Sequence, residues 1–211
     1  MLRHCSPLPG YFDLMLGAGF YDVEQGKIAT VVTHLQMAEM AKQRPVSEPD
    51  GVKLEHVDAT ADWYRDLYRR VGGQDWLWFA RIGMDDAELS TILSDPNVEV
   101  YALVKDGVAE GFMELDYRVT GECELAYFGV TSALLGTGAG RYLMNAAIRQ
   151  AWQKPIQRFH VHTCTLDHPE ALGFYRRSGF TPYRQQIEIA DDPRLLGQLP
   201  MDAGRRVPII R

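Results

Sequence analysis

The sequence predicts a mixed α/β fold: one twisted sheet of about six to seven strands, layered with helices. Three observations predict it. The runs "VEVYALV" and "AEGFMELDYR" flank Asp106-Gly107, a dipeptide that closes tight antiparallel hairpins. The run "CELAYFGV" enters a glycine loop and then, at once, a long helical pattern. After that helix the chain continues strand, helix, strand, so antiparallel and crossover connections serve one sheet.

The elements follow in order. Residues 1 to about 50 read as an N-terminal arm with one extra strand, "GKIATVVTHLQM", ending in the turn-rich "RPVSEPDG". Residues 51–192 read as the main domain and 193–211 as a C-terminal tail. "VKLEHVD" is a strand. Thr60 is placed to cap a helix through "ADWYRDLYRRV", with Gly72 as its stop. A second helix is expected at "DDAELSTIL", ending before Asp95-Pro96. The hairpin strands and "CELAYFGV" come next. In the long helix Met144, Ile148 and Trp152 recur at i, i+4 and i+8, with Leu143, Ala147 and Ala151 on the adjoining stripe. Pro155 ends that pattern; "RFHVHTCT" is a strand, "HPEALGFYRRSGF" a helix and "YRQQIEI" the last strand.

Composition narrows the function. The chain of 211 residues is 46% hydrophobic and 24% charged, enough for one sizeable core. A formal charge of −6 argues against a general nucleic-acid binder. Cys5, Cys123 and Cys164 have no paired metal-type spacing, which fits a reducing compartment. No signal-peptide pattern opens the chain and no run approaches the ~18 apolar residues of a membrane span. The expectation is a cytoplasmic protein that binds neither membrane nor nucleic acid.

The informative stretch is "VTSALLGTGAGRYLMNAAI". Three glycines at alternate positions cost backbone entropy and pack nothing. Between a strand and a helix N-terminus they let backbone N–H groups and the helix dipole converge on an anion. A Walker loop needs Lys and Ser/Thr, where this chain continues Arg141-Tyr142. A dinucleotide fingerprint needs Gly at 141 or 143, which are Arg141 and Leu143.

Leu135, Gly136, Thr137, Gly138, Ala139, Gly140 and Arg141 resemble the pyrophosphate loop of the GNAT superfamily of acyl-CoA-dependent N-acetyltransferases, Arg/Gln-x-x-Gly-x-Gly/Ala. Leu135 departs from the usual Arg or Gln, at the cost of one side-chain contact. A second block, "HPEALGFYRRSGF", resembles the family's Asn-x-x-Ala…Tyr…Gly-Phe helix: Ala171, Tyr175, Gly179 and Phe180 fit, and His168 stands where Asn is common. The resemblance covers roughly residues 52 to 190.

It implies helices on both faces of the sheet, acetyl-CoA as acyl donor, no metal, and direct attack of an amine on the thioester. The loop residues would cradle the pyrophosphate, and His168 joins this set by its place in the second block. A bulge would splay two strands so that pantetheine lies between them; Gly129 is the expected irregularity or close approach. Phe128 would offer its N–H to the thioester oxygen and Val130 would pair with the pantetheine amides. Glu124, six residues before Val130, is at the general-base offset of the histone-acetyltransferase branch, or else orients the acceptor; Glu114 and Asp116 are rival carboxylates. Tyr175 would protonate the departing sulfur, or pack on the sheet. A non-catalytic acyl-CoA-binding or sensing module on the same fold is the alternative.

Other patterns are weighed as structural. His160, His162 and Cys164 alternate on one strand without a further ligand in spacing. Asp167-x-x-Glu170 reads as helix-capping chemistry. Trp76 and Trp78 read either as core or as an acceptor-pocket wall. Cys123 and Cys164 are weaker candidates for an acyl-cysteine route. The acceptor, a small-molecule amine or a protein or peptide amine, is left open, as is a homodimer.

Overall fold

A computed structural model describes residues 16–211. Cys5 and the Pro7–Pro9 stretch lie outside the described residues. Among these described residues seven strands form one sheet in the order β2-β3-β4-β5-β6-β1-β7. They are β1 (Lys27–Met37), β2 (Val52–His56), β3 (Val98–Lys105), β4 (Val108–Asp116), β5 (Glu122–Val130), β6 (Arg158–Cys164) and β7 (Thr181–Asp191). The strand of the N-terminal segment therefore completes the chain's own sheet, antiparallel to both β6 and β7. The β3–β4 hairpin turns at Asp106 and Gly107, both at positive φ (51° and 79°), as a two-residue turn demands.

Helices cover both faces, as expected. On one face lie α4 (Ala139–Ala151) and α5 (Ala171–Arg177), whose Leu143, Met144 and Tyr175 share a core with Leu35, Leu125 and Phe159. On the other lie α1 (Ala61–Tyr68) and α3 (Asp86–Leu93), where Tyr64, Leu67 and Leu89 pack on Val100 and Phe112. Thr60 caps α1 and Asp85 caps α3, each side chain accepting a backbone N–H three residues on. A third, smaller core joins Leu199 and Ala203 to Ile28, Leu77 and Leu166. Arg194, paired with Asp192, donates to the carbonyls of Ala203 and Val207 and ties down the chain beyond β7.

Two expectations are corrected. Gly72 does not stop its helix: α1 continues through a π-helical turn, Arg69–Gly73, into the single turn α2 (Gln74–Trp76). A Cβ on Gly72 would stand 2.0 Å from the Trp78 ring, so this glycine serves close packing instead. The bulge is not at Gly129 but at Ala126, where the β4–β5 register steps from Leu115↔Leu125 to Glu114↔Tyr127. Gly129 is instead a close approach, its absent Cβ 2.4 Å from Val71 Cγ1.

Candidate active site

The site follows from one irregularity. Among the described residues β5 and β6 are the only parallel neighbours, and they pair over just three positions, ending at Glu124↔His160. The Ala126 bulge comes two residues later, and beyond it the strands diverge. Tyr127 turns to the α1 face, while Phe128 and Val130 turn to the face covered by α4 and α5. A cleft of about 380 Å³ opens in the gap, lined from both faces of the sheet. From the α1 side it is walled by Tyr68, Trp76 and Trp78, and from the α5 side by Phe174 and Tyr175.

Phe128, Gly129 and Val130 line the gap, together with Leu135, Gly140, His168 and Tyr175. Phe128 packs against both Phe174 and Tyr175, ring centroids 5.7 and 6.3 Å away. Burial pushes the Tyr175 phenol well up, so it stays protonated; among the described residues its hydroxyl has no hydrogen-bond partner. His168 accepts the Glu170 N–H at 3.1 Å and sits edge-on to Trp76.

The glycine loop sits at the N-terminus of α4. Gly136 and Gly138 take positive φ (76° and 87°), and a Cβ on Gly136 or Gly140 would meet nothing within 4 Å. Thr137 braces the loop, donating to the Leu134 carbonyl and accepting the Ala139 N–H. Ala139 is buried beneath it. The first helical bond is Tyr142 N–H to Gly138, so the N–H groups of Gly140 and Arg141 lead the dipole without helical acceptors. Arg141 does not line the main cleft; it borders a small recess with Lys42 and Arg44. Gln43 and the Arg44 carbonyl are bonded to Asn145 of α4, which docks this basic segment beside the loop. No carboxylate pairs with Lys42, Arg44 or Arg141 among the described residues. An open glycine cradle rimmed by unpaired cations fits a polyphosphorylated donor. Lys42 and Arg44 were not legible as site residues, because only the fold brings them to the loop.

The carboxylates separate clearly. Glu114 is fully buried and engaged by both Tyr64 and Arg81, and Asp116 is bound by Arg118 at 2.6 Å. Glu124 is partly exposed; its Oε1 lies 3.2 Å from His162 Nδ1. His162 lines the cleft, whereas Glu124 stands behind it. Asp167 does not cap α5; its Oδ1 accepts the Trp78 indole N–H at 2.9 Å and its Oδ2 accepts Thr163 Oγ1–H and Cys164 N–H. Trp78 is therefore a pinned wall of the cleft.

Cys123 and Cys164 are poor nucleophiles here. Cys123 is buried away from the cleft. Cys164 borders the cleft, but burial and then Asp167 push its thiol up. His160 is turned to Glu122, and among the described residues no three His, Cys, Asp or Glu side chains converge as metal ligands would. Nor is any described helix long and apolar enough to cross a membrane.

The model of the acetyltransferase (GNAT) family matches residues 57–180, more than half of the chain. A mycothiol acetyltransferase of Jonesia denitrificans is 32% identical over 77 residues, 36% of this chain and 24% of that protein. Among solved structures, a GCN5-related N-acetyltransferase from Sphaerobacter thermophilus superposes with a TM-score of 0.58 at 13% identity, over 77% of this chain and 52% of the other. One from Kribbella flavida gives 0.54 at 18% identity, over 82% and 63%. The chain thus spans about a quarter of the sequence relative and one half to two thirds of these structures.

Proposed function

The chain belongs to the acetyltransferase (GNAT) family, and we propose that it moves an acetyl group from acetyl-CoA to a primary amine by direct attack in a ternary complex. The observation that carries this reading is the gap beyond Glu124↔His160, reached from two faces, with a phosphate-type loop beside it. Two substrates can meet there from opposite sides.

Acetyl-CoA supplies an activated thioester. The loop from Leu135 to Arg141 holds its phosphates through backbone N–H groups, with Lys42 and Arg44 adding charge. Among the described residues β5 has no strand partner toward the gap beyond Glu124, which leaves its backbone edge there able to pair with an extended pantetheine chain. Phe128 N–H stabilises charge on the carbonyl oxygen; one preorganised donor is worth ~2.7–4 kcal/mol. Tyr175, neutral and facing the gap, passes a proton to sulfur. Direct transfer is favoured over an acyl-cysteine because the Cys164 thiol is held protonated.

The acceptor enters from the α1 side. Its wall is aromatic (Tyr68, Trp76, Trp78, Phe79); Asp75 and Glu188 add negative charge, and the one arginine of the lining, Arg70, is paired with Asp66 and Glu110. That chemistry suits a cationic amine on a flat or apolar body.

The test is release of free thiol from acetyl-CoA with 2-phenylethylamine, spermidine and a lysine-bearing peptide, beside a thermal melt with CoA. Stabilisation by CoA and amine-dependent thiol release support the reading. Stabilisation without release from any amine makes the chain an acyl-CoA-binding module. No stabilisation at millimolar CoA overturns both.

A further inference from the structure

We propose that His162 is the catalytic base of the transfer, and that Glu124 is a positioning residue behind it. This rests on the acetyltransferase reading above. Glu124 occupies the last paired position of β5, facing β6. His162 lies two residues past the last paired position of β6, where the gap has opened, and it borders the cleft.

The contact between the two selects a tautomer. With Nδ1–H donated to Glu124, the neutral ring presents its Nε2 lone pair as an acceptor. His162 and Tyr175 border the same cleft from opposite faces of the sheet. The base therefore stands on the acceptor side and the hydroxyl on the donor side.

Groups from every neighbouring element bear on the ring. Burial opposes its charge. His34 of β1 stands with its ring centroid 5.8 Å away and is itself shifted down, first by burial and then by His162. Glu124 of β5, Asp167 after β6 and Glu188 of β7 favour it, and the outcome is a pKa raised above 6.5. His160, its neighbour on β6, is turned to Glu122 and is shifted down, chiefly by burial. His162 is thus the more basic of the two.

The step balances. An ammonium N–H bond breaks and an Nε2–H bond forms, leaving an imidazolium beside Glu124. The freed nitrogen lone pair forms the C–N bond as the C–S bond opens. A second nitrogen proton reaches sulfur through the Tyr175 hydroxyl, and His162 returns its proton to water. The products are the acetamide, CoA thiol and one proton.

Two measurements on the whole chain test this. Imidazole ¹⁵N NMR of the free protein should show His162 neutral as the Nδ1–H form, titrating above its value in Glu124→Gln. A proton on Nε2, or identical titration in the two proteins, overturns the positioning role. Thiol release with the fastest amine of the panel should fall about 10²–10⁴-fold in His162→Gln, with partial recovery at high pH. Glu124→Gln should keep more activity, its rate limb moved to lower pH. An unchanged limb in His162→Gln overturns the base assignment. If wild type binds CoA but acetylates nothing, the transferase reading fails and this one with it, whatever the NMR shows.

Discussion

Gly72 lies directly against the ring of Trp78: a Cβ on the glycine would stand 2.0 Å from Cδ2 and 2.5 Å from Cγ. The π-helical turn at Arg69–Gly73 carries that glycine, and the Trp78 N–H donates to the Gly72 carbonyl. Such turns often mark functional positions in helices. Here the turn seats an aromatic wall of the cleft, which Asp167 then pins from the other side. Gly72→Ala must displace Trp78. It should cost about 1–3 kcal/mol by overpacking, measured by denaturant unfolding. It should also raise KM for the amine more than KM for acetyl-CoA. Equal effects on both would detach Trp78 from the acceptor side.

Tyr175→Phe removes one hydroxyl and keeps the ring that packs between Phe128 and Phe180. Affinity for acetyl-CoA should be unchanged by calorimetry, while kcat falls about 10²–10⁴-fold. Full turnover would leave Tyr175 a packing residue.

Gly138→Val places a β-branched residue at φ 87° and beside Val46, whose Cγ2 would lie 3.6 Å from the new Cβ. Wild type should gain ~2.7 kcal/mol of stability at 100 times the acetyl-CoA dissociation constant. The variant should show no such gain in a thermal melt. A normal shift would move the phosphate site away from this loop.

Lys42 and Arg44 offer a test by salt. Both are exposed, so each charge is worth about 0.2–1 kcal/mol toward a bound anion. The double substitution to Ala should weaken acetyl-CoA binding several-fold at low ionic strength. The difference should shrink as salt rises, because exposed charges are screened. A loss independent of salt would mean that the segment acts by shape.

How much of this was legible depends on the range of the interaction. The Asp106-Gly107 hairpin, the Thr60 cap, the glycine loop and the Tyr175 helix are local patterns, and each could be read from a dozen residues. β1 could be read as a strand, but its place between β6 and β7 depends on pairing across more than a hundred residues. Lys42 and Arg44 lie about a hundred residues from the loop, and no local signal ties them to it. Glu124 could be found by its offset from Val130. His162 could be seen only as one of three alternating residues, because its exposure to the cleft depends on where β5 and β6 part. The bulge escaped for a related reason: Gly129 looked like the irregular residue, but Ala126, with no special turn chemistry, carries it.

The Glu124–His162 pair should also leave a mark on stability against pH. His162 is raised above 6.5 in the folded chain, burial opposing its charge and Glu124 overcoming that opposition. A base raised by folding binds its proton more tightly in the native state. Its stabilisation is fully present below the unfolded pKa and fades as pH climbs through the folded value. His34 and His160 are shifted down, chiefly by burial, so they work the other way and favour the native state as pH rises. The total profile therefore mixes both signs, and the difference between wild type and Glu124→Gln is the cleaner quantity. Glu124 raises all three imidazoles, so its removal should cost most where they are charged. Urea unfolding from pH 5.5 to 8.5 should show the wild-type advantage largest at the acid end. It should shrink through the range above 6.5, where His162 loses its proton. An advantage that grows with pH would mean that Glu124 is stabilised by something other than these imidazoles, and the dyad would lose its thermodynamic support.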